Sequence, residues 1–221
     1  MKMQHFIVTR LMLNIREKKN QKYLDSRAKI FNDFYVRSML SQTNKNFENI
    51  ILIDPIYKNL DYNLFNFKSL NHKICYVDNP RKINYLEQKQ SDYILTTRMD
   101  SDDIISDNFV KNIQDKFLFV NDECIIDHKW LFFISENKKS VTARNYNCNS
   151  MFLTTAIRPK DYFQKGCYSA QHGAMPRKFA KKIIIDDYGS ACICHGTNIS
   201  NRIGSGKALP NLNTKKYFSW I

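Results

Sequence analysis

Tyr93-Ile-Leu-Thr-Thr-Arg-Met-Asp-Ser-Asp-Asp103 decides the fold class of this chain. Tyr93 to Thr97 has the composition of a buried strand. It runs without a turn residue into Asp100, Asp102 and Asp103, three carboxylates within four positions. In open α/β sheets, ligands sit beyond the carboxyl ends of the strands, so an acidic loop there is well placed for chemistry. Upstream, His5–Arg10, Ile50–Asp54 and Lys73–Val77 read as further strands. Leu24, Ala28, Phe31, Tyr35 and Met39 recur every three or four residues, which predicts a helix from Tyr23 to about Gln42. Pro80–Gln90 reads as a helix with Ile83, Leu86 and Tyr85 inward, and Asp107–Phe117 as one with Phe109, Val110 and Ile113 inward. This alternation predicts a doubly wound α/β fold with a mostly parallel central sheet and flanking helices.

Beyond about residue 118 the pattern becomes mixed. Cys124–Asp127, Trp130–Ile134, Val141–Arg144, Phe152–Ala156 and Ala191–Cys194 read as short strands, and Met175–Lys182 as a short helix. There is no internal repeat and no low-complexity linker. The expectation is one domain, 1–221, with a nucleotide-type half (about 1–118) and a mixed half (about 119–221).

The composition supports this. Of 221 residues, 43% are hydrophobic, 25% charged and 13% aromatic, which argues against disorder. Lys+Arg is 34 and Asp+Glu 21, a net charge of +13. The excess has three explanations: compositional drift in a Lys-, Asn- and Ile-rich chain, attraction to a membrane surface or anionic substrate, and nucleic-acid binding. The basic residues are diffuse, with short clusters at Arg16–Lys19, Arg177–Lys182 and Lys215–Lys216, which ranks nucleic acid last. No stretch reaches the roughly 18 apolar residues of a membrane span. The apolar run Phe6–Leu13 carries Arg10, unlike a leader peptide, so the expectation is a cytoplasmic protein, peripheral at most to the inner face of a membrane. Cys75, Cys124, Cys148, Cys167, Cys192 and Cys194 read as free thiols, and Cys192-x-Cys194-His195 lacks the second pair of a structural zinc site.

Two readings of the acidic loop stand side by side. Clustered Asp oxygens suit Mg²⁺ or Mn²⁺ together with substrate phosphates. Alternatively Asp102, Asp103, Ser106 or Asp107 caps the following helix. Asp54 also ends an apolar strand and belongs on the same sheet edge. Strand alternation puts Arg98 and Asp100 on one side and Met99 on the other, so Arg98 either grips a diphosphate or pairs with Asp100 or Asp102.

Several of these segments resemble a known family. Gln4-His-Phe-Ile-Val-Thr-Arg10, the helix carrying Arg27 and ending in Ser38-Met-Leu-Ser-Gln-Thr43, and Phe47-Glu-Asn-Ile-Ile-Leu-Ile-Asp54 are similar to the start of GT-A-fold glycosyltransferases. Thr97-Arg-Met-Asp-Ser-Asp-Asp103, His172-Gly-Ala-Met-Pro-Arg177 and His195-Gly-Thr-Asn-Ile-Ser-Asn-Arg202 resemble blocks of the rhamnosyl transferase family. The resemblance runs from about His5 to Arg202. It implies a GT-A (Rossmann-like) fold with a donor half and an acceptor half. It also implies a nucleotide-diphosphate sugar donor, a glycan or lipid-linked acceptor, and Mn²⁺ or Mg²⁺. Asp54 would contact the nucleotide, and Asp100 and Asp102 the ribose and metal–diphosphate, with Asp103 supporting. Arg10, Arg27 and Arg98 would face the donor, and His195 would return as a metal or phosphate ligand. Bland readings remain for Arg27, a solvated helix charge, and for His195, a buried hydrogen-bonded side chain.

Transfer to a hydroxyl with inversion needs a base. His172 and the Asp186-Asp187 pair are the candidates, against structural roles for the histidine and a turn before Gly189 for the carboxylates. Gly204-Ser-Gly206-Lys207 is the candidate mobile loop. The rivals are a sugar-phosphate nucleotidyltransferase, a basic nucleic-acid module and a two-metal nuclease. Enzymes of the first kind carry a Gly-rich phosphate loop after the first strand, whereas Thr9-Arg-Leu-Met-Leu-Asn14 here has no glycine, which counts against that reading.

Overall fold

The computed structural model describes residues 1–13, 20–81, 83–195, 207–208 and 213–221. The expected cluster at 16–19 and the Gly204–Gly206 loop lie outside them. Strand β1 (Met3–Met12) leads to helix α1 (Gln21–Ile30), which continues through a π-helical turn (Phe31–Val36) into α2 (Arg37–Ser41). Then come β2 (Glu48–Ile53), β3 (His72–Tyr76), a single turn α3 (Asn84–Glu87), β4 (Tyr93–Asp100), β5 (Ile104–Ile105) and α4 (Phe109–Val120). The remainder is β6 (Cys124–Ser135), β7 (Val141–Asn145), β8 (Thr154–Ile157), α5 (Tyr162–Lys165), β9 (Lys181–Cys194) and β10 (Lys207–Ala208).

Among the described residues the strands form one sheet, ordered β10-β7-β6-β8-β4-β1-β2-β3, with β9 against β6 and β5 against β9. β3, β2, β1 and β4 are mutually parallel, as their unbroken apolar runs predict, because strands covered on both faces need no polar alternation. β8 joins antiparallel between β4 and β6, so the mixed half continues the same sheet. One face packs against α1, α2 and α4 through Ile7, Ile51, Leu95 and Met99. The opposite face carries Phe6, Val8, Ile50 and Ile94 against Leu86, Tyr162, Tyr168 and Met175.

The helix from Tyr23 to about Gln42 forms with all five predicted residues buried. Its wide π turn stacks Phe31 on Tyr35 at 4.8 Å. The Tyr35 hydroxyl accepts from Thr9 and donates to Asn49, both at 2.9 Å, which ties the helix to β1 and β2.

Three local expectations are corrected. The Pro80–Gln90 helix shrinks to one turn, because burying Ile83 and Leu86 needs no more and short helices depend on packing rather than propensity. The two strands predicted within 124–134 are one, β6: Asp127 and His128 interrupt the apolar pattern yet are fully buried. The Met175–Lys182 helix is instead a 3₁₀ segment, His172–Lys178, followed by β9, in which Asp186 and Asp187 lie mid-strand rather than in a turn.

The buried polar residues give a pH prediction. Burial holds the His5 and His128 imidazoles down at about 3, against about 6.5 unfolded. Below about pH 6.5 the unfolded chain therefore binds two protons that the fold refuses, and stability is lost as pH falls toward 3. Asp127 opposes this. Burial pushes its carboxyl up to about 7 although Ser150 donates twice to it, so the fold holds one proton that the unfolded chain releases above about 4. From these three groups the net between about pH 4 and 6.5 is one proton, about 1.4 kcal/mol per pH unit. His128→Leu is expected to flatten that slope, read as urea midpoints across the window. Equal slopes in the two chains would refute the assignment.

Candidate active site

The acidic loop leaves β4 at the edge where β1 and β2 also end. Parallel pairing sets Arg10 of β1 directly beside Asp100 of β4. The Arg10 guanidinium binds both Asp100 oxygens, at 2.6–2.9 Å. Bidentate pairing of this kind fixes geometry as well as charge. The loop does not cap a helix: it feeds β5, and α4 begins at Phe109, where the N-cap residue Asn108 makes no side-chain capping bond.

Asp102 lies on the α1 side of the loop. Arg27, which the bland reading left in solvent, is drawn in to donate to Asp102 at 3.2 Å and to Ser101 at 2.8 Å. Antiparallel pairing of β5 with β9 returns the end of β9 to the loop, and His195 Nε2 comes 3.1 Å from Asp102 Oδ2. Burial would raise the Asp102 carboxyl, but the His195 hydrogen bond and the Arg27 charge outweigh it and hold the group at about 2. Asp103 lies beneath, accepting from the Ile193 amide at 3.2 Å. Burial, then the charges of Asp102 and Asp100, push its carboxyl well above the usual range, so it supports the loop rather than presenting a charge to ligand.

Arg98 forms neither ion pair expected for it among the described residues. Its guanidinium lies 4.9 Å over the ring of Tyr168, and Arg10 lies 5.6 Å from the same ring. Arg10, Arg98, Tyr168 and His172 share a cleft of about 740 Å³ with Arg81 and Asp78, on the face of the sheet away from α1. His172 Nδ1 is 2.8 Å from the Asn149 carbonyl and must donate to it. With Nδ1 so engaged, Nε2 is the ring nitrogen left to act as acceptor in the neutral imidazole. Asp54 ends β2 on the same edge, with its side chain accepting from Ile56 at 3.1 Å.

Asp187 is not brought to this cluster. It precedes Cys194 by seven residues on β9, roughly 23 Å at the rise of a strand. Asp186 is exposed and paired with Lys129 at 3.0 Å. Tyr168 and Arg81 escaped the sequence reading. Arg81 was within reach of it, since Asp78-Asn-Pro-Arg81 follows β3 at the same edge. Tyr168 carried no periodic signal.

As a metal site the donors fit in part. Both oxygens of Asp100 are bound by Arg10, and among the described residues no group of three or more His, Cys, Asp or Glu is set to hold an ion. Asp102 and His195 remain as a convergent carboxylate and imidazole. A single carboxylate, with phosphate oxygens and water completing the shell, is a usual arrangement for Mg²⁺ or Mn²⁺, whereas an imidazole is a softer donor, more at home on later transition metals.

A family model described as "Putative rhamnosyl transferase" matches residues 72–207. No curated protein matches the chain. Among solved structures, S. aureus TarS is similar with a TM-score of 0.51 and 15% identity, over 86% of this chain and 37% of TarS. TarS 1–349 gives 0.47 and 15%, over 86% and 60%. A Francisella tularensis 2-C-methyl-D-erythritol 4-phosphate cytidylyltransferase gives 0.40 and 12%, over 89% and 93%. The chain thus spans little more than a third of the full TarS chain, and the likeness is one of fold. The family match covers over half of the chain, taking in the acidic loop and the whole of β9, and so the protein belongs to this rhamnosyl transferase family, with a GT-A-like glycosyltransferase fold.

Proposed function

We propose that this chain transfers a sugar from a nucleotide-diphosphate sugar to a hydroxyl of a glycan or lipid-linked acceptor, with Mn²⁺ or Mg²⁺ as cofactor. Rhamnose is the sugar that the family's description names. The observation that carries the reading is the convergence of Arg10–Asp100 and Arg27–Asp102–His195 at one edge of the sheet. Asp102 and His195 would hold the cation, which as a Lewis acid stabilises the departing diphosphate. Arg27 keeps Asp102 ionised and oriented. Asp100, fixed by Arg10, and Asp54 present carboxylates to the ribose and base. His172 Nε2 accepts the proton of the acceptor hydroxyl. The net charge of +13 favours encounter with a polyanionic donor and with an anionic acceptor or membrane surface. No helix among the described residues is long and apolar enough to cross a membrane.

Calorimetric titration with UDP-, dTDP- and GDP-sugars, with and without Mn²⁺, tests the reading. Metal-dependent binding of one nucleotide sugar, lost in Asp102→Ala, is expected. Absence of metal-dependent binding to all three, or unchanged binding in Asp102→Ala, would sink it.

A further inference from the structure

The arginine cleft is built more specifically than a basic surface. Tyr168 is its floor: the side chain is buried, and its single hydroxyl proton is shared between the carbonyls of Met99 at 3.1 Å and Val8 at 3.3 Å. The ring is thereby clamped beneath β1 and β4, where the side chains of Arg10 and Arg98 leave those strands. Both guanidinium groups lie over it. Arg10 is committed to Asp100. Arg98 is different, because its Nε is buried and meets no hydrogen-bond acceptor among the described residues. A buried N–H of a permanently charged group without an acceptor is costly, and an incoming anion removes that cost. Arg81 Nε donates to the Tyr168 carbonyl at 3.4 Å, which draws a third guanidinium to the same floor. Against three arginines the described lining carries one acid, Asp78.

We propose that this cleft is a phosphate-binding site in which Arg98 is the principal donor and Arg81 the second. Planar guanidinium forks match phosphate and diphosphate oxygens in a way that lysines do not. A stacked arginine with an unused N–H is preorganised for that ligand. The phosphate has two sources, the diphosphate of the donor or a phosphate group on the acceptor. Assigning the source rests on the transferase reading, whereas phosphate recognition stands without it.

The test titrates the full chain with inorganic pyrophosphate at low salt, in EDTA. Binding without metal is expected, weakened about tenfold or more in Arg98→Gln and in Arg81→Gln. Arg98→Lys should recover only part of it. Lys116→Gln, an exposed change on α4, should leave it unaltered. Arg81 is exposed, so its variant guards against reading a folding defect as lost binding. Displacement of pyrophosphate by a nucleoside diphosphate supports the site as the donor's. Pyrophosphate still binding beside a saturating nucleoside diphosphate supports it as the acceptor's. No binding of pyrophosphate, or binding indifferent to both arginines in folded variants, overturns the proposal. Pyrophosphate binding that persists while no nucleotide sugar binds would retire the transferase reading and keep the site.

Discussion

Asp102→Asn is expected to lower sugar transfer by roughly 10²–10³-fold in kcat/KM, the range for losing one preorganised charge at a reacting centre. Asparagine keeps the shape and one acceptor oxygen but not the charge. In the native site that carboxylate is held at about 2 and stays fully ionised at neutral pH. Its two partners are shielded: the side chains of Arg27 and His195 are only 18% and 2% exposed. Neutralising Asp102 therefore leaves the Arg27 charge uncompensated where metal and diphosphate should meet. Loss of one charged hydrogen bond costs about 1–3 kcal/mol of stability, so the variant should still fold. Initial rates against donor concentration, with a thermal melt as control, decide the matter. A folded Asp102→Asn chain within a few-fold of wild type would remove Asp102 from the chemistry.

Gly189→Ala should produce the largest loss of stability. A Cβ at Gly189 would lie 2.0 Å from His128 Cγ and 2.2 Å from its Nδ1, distances that real atoms do not share. The ring has little room to retreat, since it is buried and stacked on Phe109 at 4.8 Å. Nor can the strand retreat, because the Gly189 carbonyl accepts from Ser106 at 2.8 Å and neighbouring Ser190 pairs with Ile105. Overpacking of this severity costs about 3 kcal/mol or more, which lowers the melting midpoint by about 10 °C in a chain of this size. His128→Ala alone opens a cavity, yet combined with Gly189→Ala it should recover much of the loss. That coupling identifies the clash as the cause. An unchanged midpoint in Gly189→Ala would show that β6 and β9 part more easily than their packing indicates.

The same pair of strands shows where local reading fails. Apolar runs announced β1, β2, β3 and β4 because a strand covered on both faces has to be apolar throughout. β6 and β9 carry Asp127, His128, Asp186 and Asp187 in their interiors, which local pattern takes for breaks. Ser150 satisfies Asp127, Phe109 and Gly189 enclose His128, and Lys129 pairs with Asp186, all from positions remote in sequence or across a strand pair. In the site, Asp54, Asp100 and Asp102 were legible because a carboxylate ending a buried strand has one place to go. Their partners were not. Arg98 precedes Asp100 by two residues and was the natural mate, but parallel register supplied Arg10 instead.

Sequence by itself determined the α/β class, the parallel half of the sheet and the edge on which the carboxylates gather, because those follow from helical spacings of three and four, from unbroken apolar runs and from where such a run stops. Tertiary structure alone decided which cation meets which carboxylate, the return of His195 along β9, and the Tyr168 floor beneath Arg10 and Arg98. These depend on strand order and register, which bring together residues some 70 to 160 positions apart. No short-range pattern records such pairings, since the free energy that selects them comes from the packed sheet as a whole.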